Sequence, residues 1–131
     1  MESQNISGGC YCGNIRYKIK EIPHLSVNCH CHNCRRAIGA QSVAWILLKK
    51  KFFSWEKGNP VRYQTETKAW RTFCPDCGSS LTYESPTRSD NIDVTTGSLD
   101  HPDDFPPTMD AYKKYRIPWV SLIREEDTKH D

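Results

Sequence analysis

The sequence has no run of eighteen apolar residues, so it contains no stretch long enough for a bilayer-crossing helix. Its first residues, Met1-Glu2-Ser3-Gln4-Asn5, are polar and lack the apolar segment of an export signal. Charge of one sign is also missing: net charge is +2, and the isoelectric point near 8.2 demands neither a nucleic-acid partner nor an anionic membrane. Apolar residues are scarce, with a mean hydropathy of −0.72, so the core of this single domain is thin. A bound metal would help to hold such a chain together. An even cysteine count, the mark of a disulfide framework, is absent too, since there are seven. Together these features predict a reducing compartment, the cytoplasm, with thiols free for other work.

Those seven thiols fall into three tight groups. Cys10 and Cys12 stand one residue apart, before Gly13. Cys29, Cys31 and Cys34 lie within Cys29-His30-Cys31-His32-Asn33-Cys34. Cys74 and Cys77 form the knuckle Cys74-Pro75-Asp76-Cys77-Gly78. In an extended chain residues i and i+2 point the same way, so a Cys-x-Cys pair can lean toward one ion. Zinc–sulfur bonds of about 2.3 Å place tetrahedral sulfurs roughly 3.8 Å apart. In the knuckle, Pro75 stiffens the turn, and Gly78 can adopt positive φ and so direct N–H groups at the sulfurs. One closed site uses four thiolates and leaves three, and three protein ligands with an open corner is the pattern of a catalytic zinc.

Spacing leaves the pairing open. Cys31, Cys34, Cys74 and Cys77 could also build a zinc ribbon, leaving Cys10, Cys12 and Cys29 over. His30 and His32 alternate with the cysteines and are expected to face away from the metal. His24, His101 and His130 have no partner at ligand spacing and read as surface residues.

The rest of the chain is strand-like. Residues 14–20 alternate Ile15, Tyr17 and Ile19 with Arg16, Lys18 and Lys20, a half-buried strand. Residues 25–28 form a short strand leading into the cysteine triplet. Residues 33–38 suit one or two helical turns capped by Gly39. Residues 42–48 are the most apolar stretch and read as a buried central strand, with Lys49-Lys50-Lys51 as a solvated bend. Further strands are expected at 52–55, 61–65, 69–73, 81–84, 92–96 and 109–112. Trp119 is expected to pin the chain end, and residues 1–7 and 124–131 to be a flexible lead-in and a charged, flexible tail around a domain at 8–123. The class is mainly β, with small antiparallel sheets packed together.

The motifs resemble those of the glutathione-dependent formaldehyde-activating enzymes, a family whose domain also occurs in centromere protein V. The matching residues are Gly8-Gly9-Cys10-Tyr11-Cys12-Gly13-Asn14-Ile15-Arg16-Tyr17, then Cys29 to Arg36 with Gly39-Ala40. Tyr63, Arg71 and the run from Phe73 to Leu81 follow, and then Gly97-Ser98-Leu99-Asp100, Pro102 and Pro118-Trp119. The resemblance implies a β-tent zinc-binding fold and two zinc ions per chain. It implies a structural zinc on Cys10, Cys12, Cys74 and Cys77, and a catalytic zinc on Cys29, Cys31 and Cys34. It implies a carbon–sulfur lyase like S-(hydroxymethyl)glutathione synthase, which joins a small aldehyde, formaldehyde, to a thiol such as glutathione. The alternative is a non-catalytic zinc-binding interaction module with both metals structural. Many members carry a histidine where this chain has Asp110.

Other residues carry plainer expectations. Arg35 and Arg36 follow the triplet and are candidates to meet substrate carboxylates, or else form a solvated helix face. Arg16 and Arg71 read as structural ion-pair or surface groups. Trp45 reads as core, and Ser98 with Asp100 as a hydrogen-bonded turn.

Overall fold

The structure is a computed structural model that describes residues 5–123. The lead-in at residues 1–4 and the tail at 124–131, with His130, lie outside the described residues. Among the described residues, ten strands build two sheets. The smaller has the order β1-β2-β5, from Ile6–Gly9, Arg16–Ile19 and Phe53–Lys57. The larger has the order β10-β3-β4-β9-β8-β7-β6. Its strands are β3 (Leu25–Cys29), β4 (Val43–Lys49), β6 (Val61–Gln64), β7 (Trp70–Phe73), β8 (Ser80–Glu84), β9 (Asn91–Thr95) and β10 (Met109–Ala111). One α-helix, α1 (His32–Ile38), ends on Gly39, whose φ of 76° is the left-handed cap that residue was expected to supply.

Alternation decides the layering. Ile15, Tyr17 and Ile19 pack with Ile46, Leu48, Leu81, Ile92 and Val94, so the smaller sheet closes one face of the larger. Val43 and Trp45, from the other side of β4, pack with Val27, Cys29 and Cys34 on the opposite face. Strand β4 is therefore buried on both sides, which explains its continuous apolar run.

Two expectations need correction. Pairing is not wholly antiparallel, because β10 runs parallel to β3, with Asp110 opposite Asn28 and Ala111 opposite Cys29. Ile6 and Ser7, expected to lie in a flexible lead-in, instead pair with Ile19 and Lys18. Gly8 and Gly9 belong to that strand, and their lack of side chains is what lets it approach β2. A Cβ at Gly8 would collide with the Tyr17 ring (2.5 Å) and the Ser98 carbonyl (2.6 Å). Tyr17 cannot yield, because its hydroxyl is bonded to Ser98 Oγ at 2.6 Å and its ring stacks on Phe53. Gly8→Ala should therefore cost about 1–3 kcal/mol by overpacking, read as a lower midpoint in denaturant with an unchanged slope.

Trp119 does not pin the chain end: it is 71% exposed. Val120 and Leu122 are the buried residues there, and the Ile123 N–H donates to Asp110 Oδ2 at 2.8 Å. Ser98 and Asp100 do more than close a turn. Ser98 holds Tyr17, and Asp100 accepts a bidentate bond from Arg16, as the ion-pair expectation for that arginine requires. Among the described residues no helix is long and apolar enough to cross a membrane.

Candidate metal centre and adjoining cleft

Two hairpin turns build the first cysteine group. Cys10 and Cys12 come from the turn between β1 and β2, and Cys74 and Cys77 from the turn between β7 and β8. The turns are tied together by the Tyr11 N–H donating to Ser79 Oγ at 3.0 Å and by Asn14 Nδ2 donating to Asp76 Oδ2 at 2.9 Å. Positive φ at Gly13 (84°) and Gly78 (81°) lets each turn fold back. All four sulfurs lie within 4.8 Å of one another. Cys10 to Cys12 is 3.6 Å and Cys12 to Cys74 is 3.8 Å, the edge lengths of a tetrahedral zinc–sulfur site of roughly 3.8 Å. The Ile15 N–H points at Cys10 Sγ (3.2 Å) and the Asp76 N–H at Cys74 Sγ (3.3 Å), as thiolate ligands require.

Electrostatics agree with a metal site. Burial opposes ionisation of Cys10, yet the Ile15 N–H and the neighbouring sulfurs hold its thiol below the ordinary value. The Ser79 hydroxyl and backbone bring Cys77 down to about 6. A backbone N–H at Asn14 favours the Cys12 thiolate, but lost solvent and the other three sulfurs together push that thiol up to about 12. Four sulfurs this close cannot all be anionic without a cation among them. The cluster can hold a metal ion, and its donors fit zinc.

The middle triplet lies on the other face of the large sheet. Cys29 ends β3, Cys31 is the residue before α1, and Cys34 sits in the first turns of that helix. Cys29 and Cys34 are both buried and share a core with Val43 and Trp45. Cys31 is half-buried. Among the described residues only Cys10, Cys12, Cys74 and Cys77 converge within 4.8 Å, so the triplet does not close to that distance. Cys29 and Cys34 belong to one buried cluster. The neighbouring Cys29, and then the Arg71 guanidinium, hold the Cys34 thiol down to about 6 against the effect of burial, while Cys34 and burial raise Cys29. Three soft donors on a bend of six residues suit a thiophilic ion such as zinc, and two of the three already share one buried spot.

Arg71 is the residue whose role the sequence obscured. It is neither a surface group nor part of a carboxylate pair. Its guanidinium donates toward Cys34 Sγ at 3.6 Å and lies 4.6 Å from the centre of the Tyr83 ring. Tyr83 stands opposite Arg71 across β7 and β8, and opposite Asp93 across β8 and β9. Burial raises the Asp93 carboxyl, and Arg88, which binds it at 3.1 and 3.0 Å, pulls the other way. The signal in the sequence was alternation: Arg71, Tyr83 and Asp93 occupy the face of their strands that Trp45 occupies on β4.

A cleft of about 650 Å³ opens beside Arg71, between α1 and strands β6–β8. Arg36 lines it, whereas Arg35 does not and keeps a buried Nε without a hydrogen-bond partner. His30 is fully buried and donates from Nε2 to Asp110 Oδ1 at 2.8 Å. Aspartate at position 110 therefore gives this chain an acid–histidine pair under the β3–β10 edge. His32 is exposed and rests on Tyr115, with ring centres 4.6 Å apart, and His24 and His101 are exposed, as expected.

Comparison with known proteins bears on this geometry. Residues 5–115 match the family described as glutathione-dependent formaldehyde-activating enzyme. The chain belongs to that family. It is 37% identical over 75 residues to an uncharacterized lyase of Schizosaccharomyces pombe, a match covering 56% of this chain and 53% of the relative, so the chain aligns with about half of that protein's length. A crystal structure of a Rhodobacter sphaeroides protein superposes with a TM-score of 0.62 at 22% identity, covering 72% of this chain and 87% of that one. That likeness supports the mainly β fold and nothing finer. The family is described by a formaldehyde-activating enzyme, and the Schizosaccharomyces pombe relative is named a lyase.

Proposed function

We propose that the protein is a carbon–sulfur lyase that joins a small aldehyde, formaldehyde, to a thiol such as glutathione, and runs the reverse cleavage. In the forward direction the thiol sulfur bonds to the carbonyl carbon. The carbonyl π pair moves to oxygen, which takes up the proton the thiol has given up. The observation that carries this reading is Arg71, which donates toward Cys34 Sγ at 3.6 Å and also lines a cleft of substrate size.

We assign the zinc ions by donor set. Cys10, Cys12, Cys74 and Cys77 hold a closed structural ion, and Cys29, Cys31 and Cys34 hold the second. Zinc at the triplet would keep a bound thiol ionised near neutral pH and polarise a carbonyl. The protein's share is placement. Strand β3 fixes Cys29, α1 fixes Cys34, and Trp45 with Tyr83 (ring centres 6.1 Å apart) wall off water on the sheet side. Arg71 offsets the negative charge that three thiolates concentrate. Reactants held in one cleft gain the effective concentration that a dilute aldehyde and thiol lack.

The test is adduct formation. Zinc-loaded protein mixed with glutathione and ¹³C-formaldehyde should raise the exchange rate between free aldehyde and S-hydroxymethyl adduct in magnetisation-transfer NMR. An exchange rate equal to the protein-free rate at every thiol concentration contradicts the proposal.

A further inference from the structure

His30 and Asp110 form a buried polar pair that the chemistry above does not use. Both side chains are fully buried. The His30 ring donates from Nε2 to Asp110 Oδ1 at 2.8 Å. Among the described residues that bond is the ring's only one, since Nδ1 is buried without a partner. Asp110 Oδ2 accepts the Ile123 N–H at 2.8 Å, so both carboxylate oxygens are engaged. The His30 backbone N–H bonds the Ala111 carbonyl at 3.0 Å, beside the same carboxylate. Asp110 thus ties together β10, the end of β3 and the chain at Ile123.

Where this pair sits gives it a task. His30 stands between Cys29 and Cys31, and strand alternation turns its side chain away from theirs. Asp110 pairs with Asn28, on the face of β3 opposite Val27 and Cys29. The carboxylate therefore holds the cysteine segment from behind. The helix cannot place its own cysteines. It has seven residues, no side-chain cap at Cys31, no acidic residue in its first turn, and Cys34 as its single buried residue. A helix that short is marginal by itself, so its orientation comes from the chain that enters it. Burying a carboxylate costs free energy that its hydrogen bonds only offset, so the pair is a poor source of net stability and a good source of fixed geometry.

We propose that Asp110 is a positioning residue for the triplet: through His30 it holds Cys29 and Cys31 in the arrangement that admits a metal ion. This rests on the assignment of the second zinc to Cys29, Cys31 and Cys34 made above, and adds the residue that pre-forms their site. Ligands already held in place lose less freedom when the ion arrives, so loosening them shows first as weaker metal binding.

The test titrates the zinc-loaded full chain with a chromophoric chelator, which should remove the triplet's ion before the one enclosed by four thiolates. Asp110→Ala should weaken the first-released zinc by about 10–100-fold and leave the other within about twofold of wild type. His30→Ala should match it, and the double variant should lose no more than either alone, since the two side chains act as one unit. Asp110→Asn keeps an acceptor for His30 but turns an amide N–H toward that of Ile123, and should cost about three- to tenfold. It is the deciding variant if Asp110→Ala does not fold. Cobalt in place of zinc adds a spectroscopic reading: in Asp110→Asn the visible bands of the second equivalent should change and those of the first should not. Affinities of Asp110→Asn and His30→Ala within about twofold of wild type overturn the proposal, as do additive losses in the double variant. Weakening of both ions by the same factor also overturns it, because that is general loosening of the fold. A wild-type chain that takes up a single ion overturns the assignment of the second zinc and this proposal with it. Adduct exchange measured on the same samples stands apart. Selective loss of the triplet's zinc, with no catalysed exchange even in wild type, upholds the positioning role and sinks the lyase reading.

Discussion

Cys74→Ser is expected to leave the protein unfolded at room temperature. Cys74 is fully buried, and its sulfur sits 3.8 Å from Cys12 across the two turns that join the smaller sheet to β7 and β8. A structural zinc in a small domain contributes an apparent binding free energy of about 10–16 kcal/mol near pH 7. Whole domains of this kind are stable by only about 5–15 kcal/mol. Losing one of four ligands, and burying a hydroxyl among three thiolates, forfeits enough of that energy to cross the threshold. Circular dichroism should show loss of the β signal, and a chelator stronger than the site should do the same to wild type. A Cys74→Ser variant that melts cooperatively within a few degrees of wild type would remove the metal from the account of stability.

Cys34→Ser is expected to behave in the opposite way. The replacement is nearly isosteric, and the Cys34 core is supplied independently by Val27, Val43 and Trp45. Destabilisation should stay near 1–2 kcal/mol, a shift of several degrees in the melting midpoint. Catalysis should fall by about 10³-fold or more, because the loss of a metal's Lewis acidity costs several kcal/mol of barrier and each 1.36 kcal/mol is a factor of ten. Melting and adduct exchange measured on the same sample test the contrast. If Cys34→Ser and Cys74→Ser unfold the chain equally, the two cysteine groups do not divide the work.

Much of this architecture was legible because two short-range rules act strongly here. Alternation exposed the strand of Tyr17 and Ile19, and the unbroken apolar run of β4 signalled burial on both faces. Ligand spacing exposed the cysteine groups. The resemblance, and not the spacing, favoured Cys10 and Cys12 over Cys31 and Cys34 as the partners of Cys74 and Cys77. In the structure those four sulfurs lie within 4.8 Å of one another and could hold a metal ion.

What stayed hidden depends on contacts between distant segments. Strand β1 contains two glycines, poor strand formers by propensity, yet Gly8 is required by its close approach to Tyr17. Arg71 looked like a surface charge because its neighbours, Cys34 and Tyr83, are 37 and 12 residues away. Trp119 looked like core by residue type, but the buried anchors are Val120 and Leu122. Asp110 looked like a simple loss of the family histidine. Only the parallel β3–β10 pairing brings it to His30.

The central claim is a division of seven thiols between one enclosed ion and one with a free corner. Native mass spectrometry of zinc-loaded protein tests it most directly. The account predicts two zinc ions on wild type, one on Cys34→Ser, and loss of folded charge states for Cys74→Ser. A single zinc on wild type, retained unchanged in Cys34→Ser, would contradict it.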